Sequence, residues 1–297
     1  MFDTAPQMDC AGRALRLDRA RVMGIVNVTP DSFSDGGAHA TTDDAIAHAL
    51  ALVEEGADVL DIGGESTRPG ATEVPLEEEL RRTIPVIEAL ARRVSVPISI
   101  DTSKPEVMRA AVEAGAGMIN DVQALRGEGA LEMAAKLGVP VVLMHMQGEP
   151  RSMQDAPQYD DVVGEVHRFL AERIFVAEMA GIDKKRIVVD PGFGFGKTTQ
   201  HNLQLLAQLQ RFTELGVPVL AGLSRKKTIG ELTGRSAPRE RVFGSVAAHL
   251  IAAQRGATLL RVHDVAATVD AVRVWAALDE VPMPRVEAKP QVRWPED

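Results

Sequence analysis

Eight short apolar runs recur along the chain, each followed by a polar loop and then by an amphipathic stretch. The runs are nearly continuous rather than alternating, which is typical of parallel strands covered on both faces. They comprise residues 22–28, 58–64, 97–102, 117–122, 140–146, 187–192, 218–224 and 259–264. Helical patterns lie between them, such as 75–94, which begins with proline, and 43–57, which ends near a glycine. Eight strands alternating with helices predict a single-domain α/β protein, a (β/α)8 or TIM barrel, with a doubly wound open sheet as the alternative.

The composition is that of an ordinary folded chain, with 297 residues, 45% hydrophobic and 25% charged. A net charge of −9 argues against a general nucleic-acid partner, so an anionic ligand would need locally concentrated cations. The one cysteine, Cys10, forms neither an internal disulfide nor a zinc site. No signal-peptide pattern or membrane-length apolar run is present. We expect a cytoplasmic protein with a barrel domain at 20–280, between loose tails at 1–19 and 281–297.

Polar or charged side chains end almost every predicted strand. In a barrel of this kind the active site is built at the C-terminal ends of the strands, so these residues predict a binding cavity. The basic segments 224–227 and 261–263 follow the seventh and eighth strands, where such barrels usually bind phosphate. In an extended strand Ser224 and Lys226 would point the same way, as would Arg261 and His263.

Three polar residues are embedded in apolar runs: Asp101, Asn120 and Asp190. An isolated buried carboxylate is unfavourable, so each needs a partner or a ligand. One interpretation is a ligand with several N–H donors, such as a 2-amino-4-oxo-pyrimidine ring. The other is that Asp190 pairs with Lys226 and Asp101 with Arg261 inside the barrel mouth, which does not exclude a ligand.

The glycine-rich segment 191–199 ends in Gly-Lys-Thr, like a nucleotide-binding P-loop. Because Pro191 stands where that motif requires its first glycine, the segment does not predict an ATPase. We expect Phe193 and Phe195 to form a flat apolar wall beside a ring-shaped substrate. We expect His145 to pack in the core or support a neighbouring side chain. Metal-ligating residues are not clustered, so any ion would be hard and partly held by substrate, as Mg²⁺ usually is.

Taken together, these motifs resemble the dihydropteroate synthase family of the folate pathway. The matching stretches are MGIVNVTPDSFSDGG, DIGGESTRPGA, SIDTSKPEV, INDV, LMHMQG, DPGFGFGK, GLSRK and RVHD, in that order. The resemblance implies a pterin-binding barrel that joins 6-hydroxymethyl-7,8-dihydropterin pyrophosphate to 4-aminobenzoate, with Mg²⁺ as the cofactor. It also implies inhibition by sulfonamides. With the Ala-rich segments 246–253 and 272–278, it favours a homodimer.

The resemblance also implies roles for individual residues. The pterin would contact Asp101, Asn120, Asp190, Lys226, Phe195, Met144 and Gly222, of which Asp101, Asp190 and Lys226 would be catalytic. The pyrophosphate would contact Thr67, Arg68, Arg261 and His263. The aminobenzoate would contact Phe33, Thr67, Pro69, Phe195, Ser224 and Lys226, and Asn27 would bind Mg²⁺. Residues 27–37 would form a lid with Gly36 and Gly37 as its hinge, and Lys227 replaces a serine that the family often shows.

The implied chemistry begins with cleavage of the C–O bond to pyrophosphate, which leaves a cation on the pterin methylene group. Asp101 would stabilise this cation, while Mg²⁺, Arg261 and His263 would neutralise the leaving group. Two alternatives are a pterin-binding methyltransferase-type domain and a pterin-binding subunit without catalytic activity. The first would not need the pyrophosphate cations, and the second would not release pyrophosphate.

Overall fold

The computed structural model describes residues 6–29, 38–66, 73–148 and 157–279. Within them the strands are β1 (Gln7–Cys10), β2 (Arg13–Arg16), β3 (Arg21–Asn27), β4 (Val59–Gly63), β5 (Ile98–Asp101), β6 (Met118–Asp121), β7 (Val141–Met144), β8 (Ile187–Asp190), β9 (Leu220–Ala221) and β10 (Leu259–Val262). The helices are α1 (Ala38–Glu54), α2 (Leu76–Ala91), α3 (Pro105–Ala114), α4 (Ala130–Leu137), α5 (Val162–Met179), α6 (Thr199–Ala207), α7 (Lys227–Thr233), α8 (Val242–Gln254) and α9 (Val265–Asp279).

Strands β3 to β10 form one parallel sheet in the order β8-β7-β6-β5-β4-β3-β10-β9. Its two edges meet, because Val189 of β8 forms a parallel bridge with Val219 just before β9. The backbone N–H of Val189 donates to Pro218 O at 3.0 Å. The sheet is therefore closed, which confirms the (β/α)8 barrel and excludes the open doubly wound sheet. All five residues of β4 are buried, as the apolar runs predicted.

The segment 7–16 differs from the expected loose tail. It forms an antiparallel hairpin of β1 and β2, whose Met8, Cys10 and Leu15 are buried. These side chains pack on residues at the N-terminal end of the barrel: Met23, Val59, Met118, Val142, Val188, Leu220 and Leu259. The hairpin therefore plugs that end. Its strands of four residues are too short for their alternation to be recognised in the sequence.

The contact between hairpin and barrel is close enough to require a glycine. A Cβ at Gly117, just before β6, would lie 2.3 Å from the backbone oxygen of Cys10. Arg13 also donates from Nη2 to Ala91 O at 2.8 Å. Burial raises the pKa of the Cys10 thiol to about 12, so the thiol stays protonated and unreactive.

The helical patterns between the strands are present as helices. The pattern at 199–216 divides into α6 and a 3₁₀ helix at Leu209–Leu215, and the pattern at 238–256 begins with a 3₁₀ turn at Pro238–Arg241 before α8. Helix α7 was not predicted, because seven residues give too little periodicity. In the described ranges, the helices are too short or too polar to cross a membrane. The main apolar core lies between barrel and helices, which leaves the C-terminal ends of the strands for polar side chains.

Candidate active site

The strand register sets a row of residues across the C-terminal end of the barrel. Asn27 of β3 is paired with Gly63 of β4, and Gly63 is paired with Asp101 of β5. Asp101 is in turn paired with Asn120 of β6. Because these residues are direct partners on neighbouring parallel strands, the sheet brings together residues that are separated by many positions along the chain.

Arg261 reaches from β10 into this row and contacts two carboxylates. Its Nε donates to Asp61 Oδ2 at 2.6 Å and its Nη2 donates to Asp101 Oδ2 at 2.6 Å. Burial opposes the charge of Arg261, but Asp61 and Asp101 outweigh it and raise the pKa of the guanidinium. Burial raises the pKa of Asp101 to about 7, although Arg261 acts in the opposite direction. The expected pairing of Asp101 with Arg261 is confirmed.

Asp61 was not singled out from the sequence, although it is fully buried. Its Oδ2 accepts hydrogen bonds from Arg261 and, at 3.1 Å, from Asn120 Nδ2. Because an ionised carboxylate only accepts, Asn120 must turn its N–H group towards Asp61, which leaves its carbonyl oxygen for another donor. Among the described residues, the other Asp61 oxygen has no partner. A carboxylate inside the run VLDIG was the signal that could have identified it.

Asp190 and Lys226 lie on the opposite side of the barrel mouth. Asp190 Oδ1 accepts from the backbone N–H of Gly192 at 2.7 Å. Burial raises the pKa of Asp190, and Lys226 opposes that shift. Burial lowers the pKa of Lys226 to about 8, opposed by Asp190. Lys226 Nζ donates to Phe193 O, so in the described structure the expected pairing with Asp190 is an interaction through space rather than a direct contact.

Only one of the two expected phenylalanines lines the cavity. Phe193 is 1% exposed and belongs to the main core, so its predicted place in a wall beside the substrate is wrong. Phe195 is partly buried against Val122, Met144 and Met146, and Lys226 Nζ lies 4.4 Å from its ring centroid. At buried Gly222 a Cβ would lie 3.9 Å from Arg261 Cβ.

The glycine-rich segment is held by Lys197, a second residue that sequence reasoning passed over. Lys197 is 3% exposed, and its Nζ contacts His145 Nδ1, Gly192 O and Phe195 O, each at 2.9 Å. Burial lowers the pKa of Lys197 well below its usual value and that of His145 to about 2. His145 is thus a packed, neutral partner of Lys197, as expected, and the Gly-Lys-Thr sequence serves to hold a loop.

The basic segment 224–227 does not continue β9, which ends at Ala221. Arg225 has a φ of 57° and pairs with Asp264 at 2.5 Å, while Lys227 is 86% exposed and lies 3.3 Å from Glu231. The alternation expected for an extended strand is therefore wrong. Of the three basic residues, Lys226 alone lies at the barrel mouth.

Four predicted site residues, Phe33, Thr67, Arg68 and Pro69, lie outside the described residues, as do 30–37 of the expected lid. At the edge of the second gap, Glu65 Oε2 lies 2.5 Å from Lys104 Nζ. Lys104 also contacts Glu79 at 2.5 Å. These two contacts hold the segment that follows β4 to α2 and to the start of α3.

The space around Asn27 suits a hard cation. A Cβ at Gly63 would lie 3.9 Å from Asn27 Oδ1 and 3.7 Å from Asp101 Oδ2, so a side chain there would fill a space bounded by oxygens. The described residues contain no group of three or more His, Cys, Asp or Glu side chains able to hold a metal. One or two protein oxygens, completed by phosphate and water, match the coordination of Mg²⁺. These residues therefore fit the expected ion.

The family model described as "Pterin binding enzyme" matches residues 23–263. The dihydropteroate synthase of Escherichia coli (strain K12) is 55% identical over 263 residues, which cover 89% of this chain and 93% of that protein. The chain belongs to the dihydropteroate synthase family. It is therefore an enzyme, a transferase of the folate pathway.

Solved structures of the family have the same fold. The Xanthomonas albilineans dihydropteroate synthase with 4-aminobenzoic acid matches with a TM-score of 0.90 and 73% identity, over 94% of this chain and all of that chain. The same enzyme in complex with 7,8-dihydropteroate gives 0.87 and 70%, over 93% of this chain and 100% of that chain. In this chain the described residues of the family pattern lie at one end of the barrel, and their individual roles stay predictions.

Proposed function

We propose that the protein condenses 6-hydroxymethyl-7,8-dihydropterin pyrophosphate with 4-aminobenzoate to give 7,8-dihydropteroate and pyrophosphate. The observation that carries the proposal is the position of Arg261, which is held between Asp61 and Asp101 at the barrel mouth. At this position the guanidinium group of Arg261 lies beside the hydrogen-bond acceptors that are expected to bind the pterin. The relatives support the substrates, since the Xanthomonas albilineans enzyme holds 4-aminobenzoic acid in one structure and 7,8-dihydropteroate in another.

The pterin ring would bind between Asn120 and Asp190. Asp61 turns the Asn120 carbonyl oxygen away from itself, and Asp190 adds buried carboxylate oxygens. Together these acceptors suit the N–H donors of an amino-pyrimidinone ring. Met144 and Phe195 supply the apolar surface against which the flat ring packs, and Lys226 adds a positive charge beside that surface.

The pyrophosphate group would lie towards Arg261, His263 and Asn27. Arg261 uses two of the five N–H donors of a guanidinium on Asp61 and Asp101, so the others remain for phosphate oxygens. Asn27 would bind Mg²⁺, with Asp101 bordering the same space. When bound, the ion would add positive charge to the leaving group.

Bond cleavage would precede bond formation. The C–O bond between the pterin methylene and pyrophosphate breaks, and its electron pair leaves with pyrophosphate. Asp101, next to Arg261, would stabilise the positive charge that develops on the methylene and the conjugated ring. The nitrogen of aminobenzoate then forms the C–N bond and releases a proton. A strong general base is unnecessary because the attacking arylamine is neutral.

The aminobenzoate would bind on the outer side of the pterin, next to Phe195 and Lys226. Phe195 is half-buried, and the side chain of Lys226 lies over its ring. Of the other predicted contacts of this substrate, Ser224 is buried beside His263. Phe33, Thr67 and Pro69 are among the residues outside the described part of the chain. The exposed Lys227, which stands where the family often shows serine, lies 3.3 Å from Glu231.

The protein is also proposed to be a homodimer through α8 and α9. Phe243 of α8 is 88% exposed, and Val274 and Leu278 of α9 are 69% and 64% exposed. Large exposed apolar side chains on neighbouring helices favour burial against another chain. A second copy of the protein would cover the exposed side chains of both α8 and α9. Phe243→Asp should convert the dimer to a monomer in sedimentation velocity, whereas a dimer that persists would contradict this interface.

The deciding experiment measures pyrophosphate release from the pterin substrate, with and without 4-aminobenzoate, in Mg²⁺ and then in EDTA. The proposal expects release that depends on Mg²⁺ and formation of dihydropteroate when aminobenzoate is present. Pterin binding without release would contradict the proposed reaction. Equal rates of pyrophosphate release in Mg²⁺ and in EDTA would contradict the proposed role of Mg²⁺.

A further inference from the structure

The segment 222–226 carries Lys226 to the barrel mouth after β9 has ended at Ala221. Pairing with β10 also ends at Ala221, so the backbone N–H groups of this segment no longer have a neighbouring strand to accept their hydrogen bonds. A buried N–H group without an acceptor is unfavourable. Because Leu223 is only 3% exposed, the fold must provide other acceptors for the segment.

Two side chains of α8 are those acceptors. The backbone N–H of Leu223 donates to His249 Nε2 at 3.1 Å, and that of Arg225 donates to Ser245 Oγ at 2.9 Å. Ser245 and His249 are four residues apart, so they lie one above the other on the same face of the helix. Both are buried. Helix α8 therefore bonds alternate residues of the segment, as a neighbouring strand would.

A second hydrogen bond orients each of these two side chains. His249 Nδ1 lies 2.7 Å from Ser245 O. Since Nε2 accepts from Leu223, the ring proton is on Nδ1 and is donated to this carbonyl oxygen. Burial lowers the pKa of His249 to about 4, which keeps the ring neutral and Nε2 able to accept. Ser245 Oγ donates to Arg241 O at 2.7 Å while it accepts from Arg225.

The chain turns sharply at Arg225, between these contacts and Lys226. The φ of Arg225 is 57°, a left-handed conformation that is unfavourable for a residue with a Cβ. Arg241 Nη1 donates to Arg225 O at 2.9 Å, and Arg225 Nε donates to Asp264 Oδ2 at 3.0 Å. The turn is thus held at its N–H, its carbonyl and its side chain. It directs Lys226, the next residue, over the ring of Phe195.

We propose that Ser245 and His249 are positioning residues, which hold the turn at Arg225 and thereby place the ammonium group of Lys226 in the site. Their side chains bond the backbone of the segment, so they act through it. This role rests on the proposed function, in which Lys226 contacts the pterin and the aminobenzoate. Without either acceptor the left-handed turn is no longer favoured, and Lys226 moves out of the cavity.

The first test follows the titration of Lys226 by NMR in protein with ¹³C-labelled lysine, its signal being assigned from its loss in Lys226→Met. Burial lowers the pKa of Lys226 from 10.5 to about 8. We expect a pKa of about 8 in the unsubstituted protein and a value closer to 10.5 in His249→Leu and in Ser245→Ala. The charged groups that act on Lys226 are the same in both variants: Asp101, Asp190, Lys197 and Arg261.

Two further variants serve as controls. His249→Gln keeps an acceptor near the position of Nε2, so the pKa of Lys226 should stay close to that of the unsubstituted protein. His167→Leu removes another histidine, from α5, whose ring packs against Phe212 at a centroid distance of 6.0 Å rather than against the segment 222–226. The pKa of Lys226 should be unchanged in this variant.

Kinetics provide the second measurement, as a double-mutant cycle with Lys226→Met. His249→Leu alone should lower kcat/KM about tenfold, as expected for the loss of one hydrogen bond from a charged group to a substrate. In a Lys226→Met background, the same substitution should change kcat/KM by less than about twofold, because there is no ammonium group left to place. A further loss of about tenfold in that background would show that His249 acts independently of Lys226 and would overturn the proposal.

The titration decides the role of each residue separately. An unchanged Lys226 pKa in His249→Leu would overturn the role of His249, and an unchanged pKa in Ser245→Ala would overturn that of Ser245. The second variant keeps the test valid if His249→Leu does not fold. A shift in His249→Gln or in His167→Leu as large as that in His249→Leu would overturn the role of the acceptor.

The titration also separates this inference from the proposed function, because it is observed without turnover. If the unsubstituted protein made no dihydropteroate, the proposed function would fail. The Lys226 pKa values would still decide whether Ser245 and His249 place its ammonium group.

Discussion

Asp61→Asn should damage both the stability of the barrel and its use of the pterin pyrophosphate. The substitution keeps the size of the side chain but removes a fully buried negative charge. Asp61 accepts from Arg261 at 2.6 Å and from Asn120 at 3.1 Å. An asparagine can place its one oxygen where Oδ2 accepts both donors, but the negative charge beside Arg261 is lost. Its N–H group would then be buried at the position of the other oxygen, which has no partner among the described residues.

The expected size of the effect follows from these contacts. Removing one partner of a buried ion pair costs about 3–5 kcal/mol, and the lower value applies here because Arg261 keeps its contact with Asp101. We therefore expect a loss of about 3 kcal/mol in the free energy of unfolding, or about 6–12 °C in Tm for a chain of this size. Because Arg261 would also be displaced from the pyrophosphate, kcat/KM should fall about 10–100-fold.

Asp58→Asn is the matched control, since Asp58 immediately precedes the same strand β4 at its opposite end. Asp58 accepts from Arg21 Nη1 at 3.0 Å and from the backbone N–H of Val22 at 2.9 Å. Its partly exposed contacts are worth about 1 kcal/mol, so the control should lose some stability and retain its kcat/KM.

Urea denaturation measures the free energy of unfolding, and pyrophosphate release at varied pterin substrate measures kcat/KM. If Asp61→Asn lost less than about 1 kcal/mol and kept its kcat/KM, the assignment of Asp61 as the anchor of Arg261 would be refuted. An equal loss of kcat/KM in Asp58→Asn would show that both effects come from general destabilisation.

Three further predictions concern neighbouring residues. Asp101→Asn should lower kcat, measured by turnover, more than it raises the dissociation constant for the pterin, measured by calorimetry. A change in pterin binding alone would contradict the proposal that Asp101 stabilises the cation. Because burial lowers the pKa of Lys226 from 10.5 to about 8, the unfolded state binds more protons between these pH values, so stability should rise as pH increases from 8 to 10.5. In Lys226→Met, denaturation across that range should show a smaller rise, and an equal rise would refute the shift. Lys197→Met should leave His145 Nδ1 and two carbonyl oxygens without a donor and lower stability by about 1–3 kcal/mol, and unchanged urea denaturation would exclude this role.

Local pattern in the sequence was enough to predict the barrel. Parallel strands covered on both faces must be apolar throughout. Runs such as 22–28 and 97–102 could therefore be recognised as strands without knowing which strands they pair with. The same principle identified Asp101, Asn120 and Asp190, because a polar side chain inside an apolar run needs a partner or ligand. The motifs and their order were also sufficient to indicate the family. These properties depend on neighbours along the chain.

The tertiary structure decided which side chains meet. Asp61 and Arg261 are 200 positions apart, and only closure of the barrel, with its particular register, makes them an ion pair. Phe193 and Phe195 look equivalent in the sequence, yet the turn between them buries one in the core and leaves the other at the cavity. The end of β9 at Ala221 similarly turns Arg225 towards Asp264 and Ser224 towards His263. Such contacts depend on backbone direction and on partners from other strands, which no local pattern of residues contains.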